Sequence, residues 1–391
     1  MKKGPEPMSD PAPTPPPAAR DKLLFTPGPL TTSAGVKQAM LRDAGSWDVE
    51  FHEVVRGVRR SLLAVAGLSP DDGYDAIPMQ GSGTFGVESA IGSAVPRGGK
   101  LLVLANGAYG ERILRIAECM DLDRRVLRSD ETAPPDAGAV DAALREDPAI
   151  THVALVHCET TTGILNPIAP VAGAVRRHGR SLILDAMSSF GAIPIDLKAE
   201  GIDYLVSSAN KCIEGVPGFS FILARRAALE ATGTRPRSHS LDLLGQLRAL
   251  ESTGQFRFTP PTHAILAFAR ALAELEAEGG PAGRGRRYLA NHRALASGMG
   301  RLGFVPLLDP ALQGPIITAF HHPADPAFRF ADFYKGLSAR GMIIYPGKLT
   351  KVDTFRIGNI GRLFEADMVQ LVHAVEDTLR ELGCGLPLAP P

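Results

Sequence analysis

The sequence predicts an α/β fold, in which a large domain with a mostly parallel sheet covered by helices precedes a smaller α+β domain. Three observations carry this expectation. Between residues 100 and 225, short apolar runs recur without the alternation of a one-sided sheet, as strands buried on both faces require. Segments of crossover length with helical spacing lie between several of them. Four of the runs end at a polar residue, near Asn106, His157, Asp185 and Ser207, at the strand edge where open parallel sheets gather their ligands.

Taken in order, residues 1–20 are dominated by Pro and Ala and offer too little apolar surface to offset ordering entropy, so they read as a disordered tail. Order is expected from Leu23-Leu24-Phe25, followed by the stiff turn Thr26-Pro27-Gly28-Pro29. Strands are expected at 101–104, 153–156, 182–184, 204–206 and 219–223. A helix over 262–278 stops at Gly279-Gly280 and closes a large domain, 21–278, whose N-terminal segment reaches the small one. The small domain, 279–391, is expected to hold helices at 284–302, 330–340 and 365–382, with strands at 315–320, 342–345 and 354–357.

Composition narrows the function classes. The chain has 391 residues, 45% of them hydrophobic, and its 42 basic side chains balance 42 acidic ones. That balance leaves no global field to hold nucleic acid or an anionic membrane. No apolar run reaches the roughly 18 residues of a membrane span. Met1-Lys2-Lys3 runs into Pro and Ala rather than an apolar core, so no secretory signal is expected. Cys119, Cys158, Cys212 and Cys384 are scattered, which fits a reducing cytoplasm and argues against a disulfide framework or thiolate metal site.

Three features carry chemistry. Gly81-Ser82-Gly83-Thr84-Phe85-Gly86 matches the dinucleotide pattern GxGxxG, but the next strand ends at Asn106 where that fold needs an acidic residue for a ribose. What remains is a glycine-rich turn opening a helix, with free N–H groups and the hydroxyls of Ser82 and Thr84 to cradle a phosphate. Asp185 stands at the carboxyl end of an apolar strand, where it is either a buried ligand partner or a helix cap. Lys211 sits in the small-residue loop between Ser207 and Gly218, in a chain far richer in arginine than lysine. It is either a surface residue or an amine desolvated enough to form a Schiff base.

Each feature alone has a plain structural reading; together they fit pyridoxal 5′-phosphate. The turn takes the phosphate, Lys211 the carbonyl carbon, and Asp185 the pyridine nitrogen. Tyr109 can stack on one ring face. His157-Cys158-Glu159 is a weak metal candidate, because neighbours on a strand point to opposite faces, and no metal is expected. Arg356, among apolar neighbours on an expected strand, needs either an anionic ligand or a structural carboxylate.

These residues carry a resemblance. The chain is similar to the class V, fold-type I aminotransferases from about residue 22 to 380, and within them to the branch acting on 2-aminoethylphosphonate and pyruvate. The stretches that carry it include Leu24 to Thr32, Gln80 to Thr84, Glu159-Thr160-Thr161-Thr162-Gly163, Asp185 to Gly191, Ser207 to Gly218, Arg257 to His263, Tyr345-Pro346-Gly347-Lys348 and Phe355 to Gly361. The resemblance implies that Lys211 is the Schiff-base lysine and Asp185 the partner of the ring nitrogen. It implies that Ser82, Gly83 and Thr84 hold the phosphate, that Tyr109 stacks, and that Thr160 lies near the cofactor hydroxyl. Thr259 matches a residue reaching a neighbouring subunit's phosphate, which implies a homodimer with shared active sites. Arg356 matches the arginine that grips the acidic end of the substrate. The implied function is ping-pong transamination in phosphonate catabolism. An alanine– or serine–glyoxylate aminotransferase is the alternative, and a non-catalytic ligand-binding protein a remote one. Glu214 departs from the neutral Gln expected there, and would oppose an anionic substrate if it points inward.

Overall fold

Seven strands form the central sheet of the computed structural model, which describes residues 21–233, 236–347 and 351–389. The expected tail, 1–20, lies outside the described residues. In chain order the strands are β1 (Tyr74–Gln80), β2 (Lys100–Ala105), β3 (Asp123–Arg128), β4 (Ile150–Val156), β5 (Ser181–Asp185), β6 (Tyr204–Ser208) and β7 (Phe219–Arg225). Across the sheet they run β1-β7-β6-β5-β4-β2-β3. Only β7 is antiparallel to its neighbours. The parallel strands therefore deliver their carboxyl ends, and the loops after them, to one edge.

Burial explains the order. The interior strands β2, β4, β5 and β6 are built from Leu, Ile, Val and Ala, nearly all fully buried, because helices cover both faces. The two strands not foreseen from the sequence, β1 and β3, are the sheet edges. β3 reads Asp-Arg-Arg-Val-Leu-Arg and is largely exposed, and β1 contains Asp75 and Pro78. β3 carries the charges of an exposed edge, whereas β1 is buried and its apolar run is broken by Asp75 and Pro78.

Two helices matter for the site. α1 (Gly83–Ala94) follows the glycine-rich turn after β1, and α2 (Ala108–Cys119) follows β2. The chain then leaves the sheet through helix Thr262–Ala277 and enters α3 (Gly280–Arg301).

The C-terminal part has its own three-stranded antiparallel sheet, with Thr354–Gly358 between Ile317–His321 and Tyr345–Pro346. The expected single strand over 342–345 is split in two. Met342–Ile343 pairs with Leu23–Leu24, and Tyr345–Pro346 pairs with Thr354–Gly358. Helix Glu365–Leu382 packs against both α3 and helix Phe330–Ala339, around a cluster that includes Phe304, Phe320, Phe328, Phe333 and Phe355. Phe25 is fully buried in this same cluster, so the first described segment is tied to the C-terminal sheet while the turn after it reaches back to the large one.

Candidate active site

The loops after β1, β2, β5 and β6 converge on one cavity lined by Ser82, Gly83, Thr84, Tyr109, Arg112, Asp185, Met187, Ser208, Asn210 and Lys211, with Val87 and Ile113 behind. Each polar group is there because a parallel strand ends beneath it. Asp185 closes β5, in register between Val156 and Val206. Its carboxylate accepts a 2.9 Å hydrogen bond from the Met187 N–H. Burial in this apolar setting pushes its pKa up to about 6, with that bond opposing.

Lys211 follows β6 through Ala209 and Asn210. Its Nζ donates to the Pro27 carbonyl at 2.8 Å. Desolvation pulls its pKa down to about 8, against the attraction of Cys212 and Asp185. Gly28 is required beside it. The residue has φ +120°, and a Cβ there would lie 2.8 Å from both Asn210 O and Lys211 Nζ.

At the opposite wall, Ser82 precedes α1 without capping it through its side chain; the Phe85 N–H donates to the Ser82 carbonyl at 2.9 Å, which leaves the Gly83 and Thr84 N–H groups to meet an anion. Gly83 permits close approach, since a Cβ would sit 2.3 Å from Met187 Sδ. Tyr109 rides on the first turn of α2. Glu159 anchors that turn by accepting from the Tyr109 N–H at 3.0 Å and from the Thr161 N–H at 3.1 Å. Burial pushes the Glu159 pKa up, and the hydrogen bonds from Thr161, Tyr109 and Gly110 oppose that rise.

A sequence model of the aminotransferase class-V family matches residues 50–349. The chain belongs to the class-V aminotransferases. Curated relatives include a 2-aminoethylphosphonate–pyruvate transaminase from Klebsiella pneumoniae, 51% identical over 363 residues that cover 92% of this chain and 98% of the relative. One of the same name from Aeromonas hydrophila is 54% identical, over 88% of this chain and 92% of the relative. Among solved structures, an alanine–glyoxylate aminotransferase from Nostoc sp. is 25% identical, covers 93% of this chain and 96% of its own, and superposes with TM-score 0.85. A ureidoglycine–glyoxylate aminotransferase from Bacillus subtilis shares the fold at 21% identity and TM-score 0.86, over 94% and 95% of the two chains.

In this class-V aminotransferase the structure brings Ser82, Gly83, Thr84, Tyr109, Asp185 and Lys211 to one cavity. Thr160 and Arg356 form an adjoining pair. Arg356 Nη1 donates to the Thr160 carbonyl at 2.8 Å, Nε donates to Pro346 O at 2.9 Å, and the Tyr345 ring lies 5.8 Å from the guanidinium carbon. Burial lowers the Arg356 pKa, with Tyr109, Tyr345 and Glu159 opposing. No described carboxylate forms an ion pair with it, and among the described residues Nη2 has no hydrogen-bond partner.

Thr259 stands apart. Its carbonyl accepts from Gln80 Nε2 at 3.3 Å, and it lines a separate surface groove with Phe85 and Phe258. Glu214 turns away from the cavity. Its Oε1 accepts from Arg287 Nη2 at 2.7 Å and from the Tyr288 hydroxyl at 2.6 Å. The negative charge is thus absorbed by α3 rather than presented to an anionic substrate.

Sequence reading missed Arg112, Met187, Ser208, Asn210 and the Pro27 carbonyl as parts of this site. Arg112 was within reach of it, because it stands three residues after Tyr109 and so shares its helix face. The Pro27 carbonyl was not, since its partner lies 184 residues away.

Proposed function

We propose that this class-V aminotransferase transfers the amino group of 2-aminoethylphosphonate to pyruvate, giving phosphonoacetaldehyde and alanine, with pyridoxal 5′-phosphate held in the Lys211 cavity. The observation that carries the substrate assignment is the match of about half of all residues to transaminases of that name over nearly their full length. The donor set of the cavity suits the cofactor. It offers a glycine-rich helix start for a phosphate, a buried carboxylate for a ring nitrogen, a desolvated amine for a carbonyl carbon, and an aromatic ring for one face. When bound, pyridoxal phosphate supplies a carbonyl that condenses with amines and a ring that takes up the electron pair left on the adjacent carbon.

The protein's own groups do the rest. Lys211, with its pKa near 8, is neutral in a useful fraction of molecules at physiological pH, so its Nζ can act as nucleophile and then carry a proton between neighbouring carbons. The Asp185 carboxylate holds a proton on the ring nitrogen, and a cation opposite it favours its ionised form. Arg356, fixed through Nε and Nη1 by two carbonyls, turns its remaining edge to the substrate's acidic end. Phosphonate and carboxylate both suit that planar fork, so one arginine serves both substrates.

The reading includes a homodimer. Thr259 lies in a surface groove away from its own chain's cavity, beside Phe85 and Phe258, which are 51% and 42% exposed. That position suits a residue serving a second copy's cofactor. The reading also assigns the reaction to the cytoplasm, which suits four free cysteines. The test is product analysis. Incubation with 2-aminoethylphosphonate and pyruvate is expected to yield alanine and phosphonoacetaldehyde in equal amounts. Turnover confined to alanine or serine with glyoxylate would move the chain to the glyoxylate branch.

A further inference from the structure

Arg112 is, with Lys211, one of two cations among the described residues lining the cavity. No described carboxylate forms an ion pair with it, so no acidic side chain among the described residues neutralises its charge. Its guanidinium carbon lies 4.7 Å from the centroid of the Tyr109 ring, within cation–π distance. Its Nη1 donates to Thr84 Oγ1 at 3.1 Å.

That bond has a directional consequence. A threonine hydroxyl has lone pairs to accept with and a single proton to give. Because Thr84 Oγ1 accepts from Arg112, its proton is turned toward some other acceptor. Thr84 is the second residue of α1, where unpaired N–H groups and the helix dipole already favour an anion. A lysine in place of Arg112 would keep the charge and lose the planar fork with its directed N–H.

We propose that Arg112 is a positioning residue for the cofactor's phosphate, fixing the Thr84 hydroxyl as a donor to that anion. The inference rests on the reading of the cavity as a pyridoxal phosphate site and deepens it. It does not concern the substrate, whose acidic end is assigned to Arg356.

The test compares two ligands that differ only in the phosphate. Dissociation constants for pyridoxal phosphate and for pyridoxal are measured by absorbance titration on the full chain freed of cofactor. The variants are Arg112→Ala, Arg112→Lys, Thr84→Val and the Arg112→Ala/Thr84→Val double variant. Arg112→Ala is expected to weaken pyridoxal phosphate by about tenfold or more, as loss of a charge-assisted contact does. Pyridoxal binding should change by less than about twofold, which also shows that the variant is folded. Arg112→Lys should recover little of the loss. The double variant should lose no more than the worse single variant, because the two residues act as a unit. Equal weakening of both ligands, unchanged affinity for pyridoxal phosphate, or losses that multiply would each overturn the assignment to Arg112. A wild-type chain that binds neither ligand would overturn the cofactor reading itself, and the Arg112 proposal with it.

Discussion

Burial holds Asp185 and Lys211 away from their ordinary pKa values in opposite directions, so each carries a pH signature. Asp185 rises from the ordinary 3.8 to about 6, so the folded chain binds that proton more tightly between these values. Its contribution to stability therefore falls as pH rises through this window, and the penalty is complete above it. In protein freed of cofactor, Asp185→Asn should raise stability at pH 7.5 by on the order of 1–3 kcal/mol. The gain should shrink toward pH 4, as thermal melts at the two pH values would show. Lys211 falls from 10.5 to about 8. The folded chain sheds this proton first, so its contribution improves as pH rises from about 8 to 10.5. Arg356→Lys should weaken both substrates by about 10–100-fold although the charge is kept, because the planar fork is lost. Steady-state kinetics with each substrate varied would check it. At Gly28, alanine has no room beside Asn210 O and Lys211 Nζ. Gly28→Ala should displace the lysine and abolish the cofactor's visible absorption in the purified protein.

The loop that carries Lys211 is held from behind by α3. Arg284, fully buried, donates through Nη1 to the Cys212 carbonyl and through Nε to Glu278 at 2.7 Å. Glu214, with φ +65°, is paired with Arg287 at 2.7 Å and lies 3.4 Å from Arg284. A non-glycine residue in this conformation costs energy, and here the surrounding ion pairs hold it. Removing one partner of such a buried network leaves the other charges unmatched. Glu214→Ala should therefore cost about 3 kcal/mol in a urea unfolding experiment, and Glu214→Gln less. The role of Glu214 was not legible in the sequence, where it is only an acidic residue near an expected anion site. Its partners lie 73 and 74 positions away on a helix whose polar residues give no hint of direction. Interior strands were legible because burial on both faces writes a continuous apolar run. β1 and β3 were not, since Asp75 and Pro78 break the run of the buried β1 and charges fill the exposed β3.

Across the whole molecule, chain topology turns distant short motifs into one site. The parallel strands β1, β2, β5 and β6 place a glycine-rich helix start, an aromatic ring, a carboxylate and an amine around one cavity, although they are spread over residues 82 to 211 of the chain. Strand-end position made Asp185 and Lys211 readable in advance. Arg112, Met187 and Pro27 enter through packing, which no local pattern records. The N-terminal segment joins the two parts: Phe25 is buried in the C-terminal cluster, and Pro27 O accepts from Lys211. A ligand bound only by the folded chain stabilises it by mass action, so removing the cofactor should lower the melting temperature. The central claim is that this cavity exchanges amino groups between 2-aminoethylphosphonate and pyruvate. The most direct measurement is the visible absorption spectrum of the cofactor-loaded protein, before and after 2-aminoethylphosphonate is added without pyruvate. The account predicts that the visible band is lost with this donor and returns when pyruvate follows. A band that ignores 2-aminoethylphosphonate but bleaches with alanine or serine would contradict it.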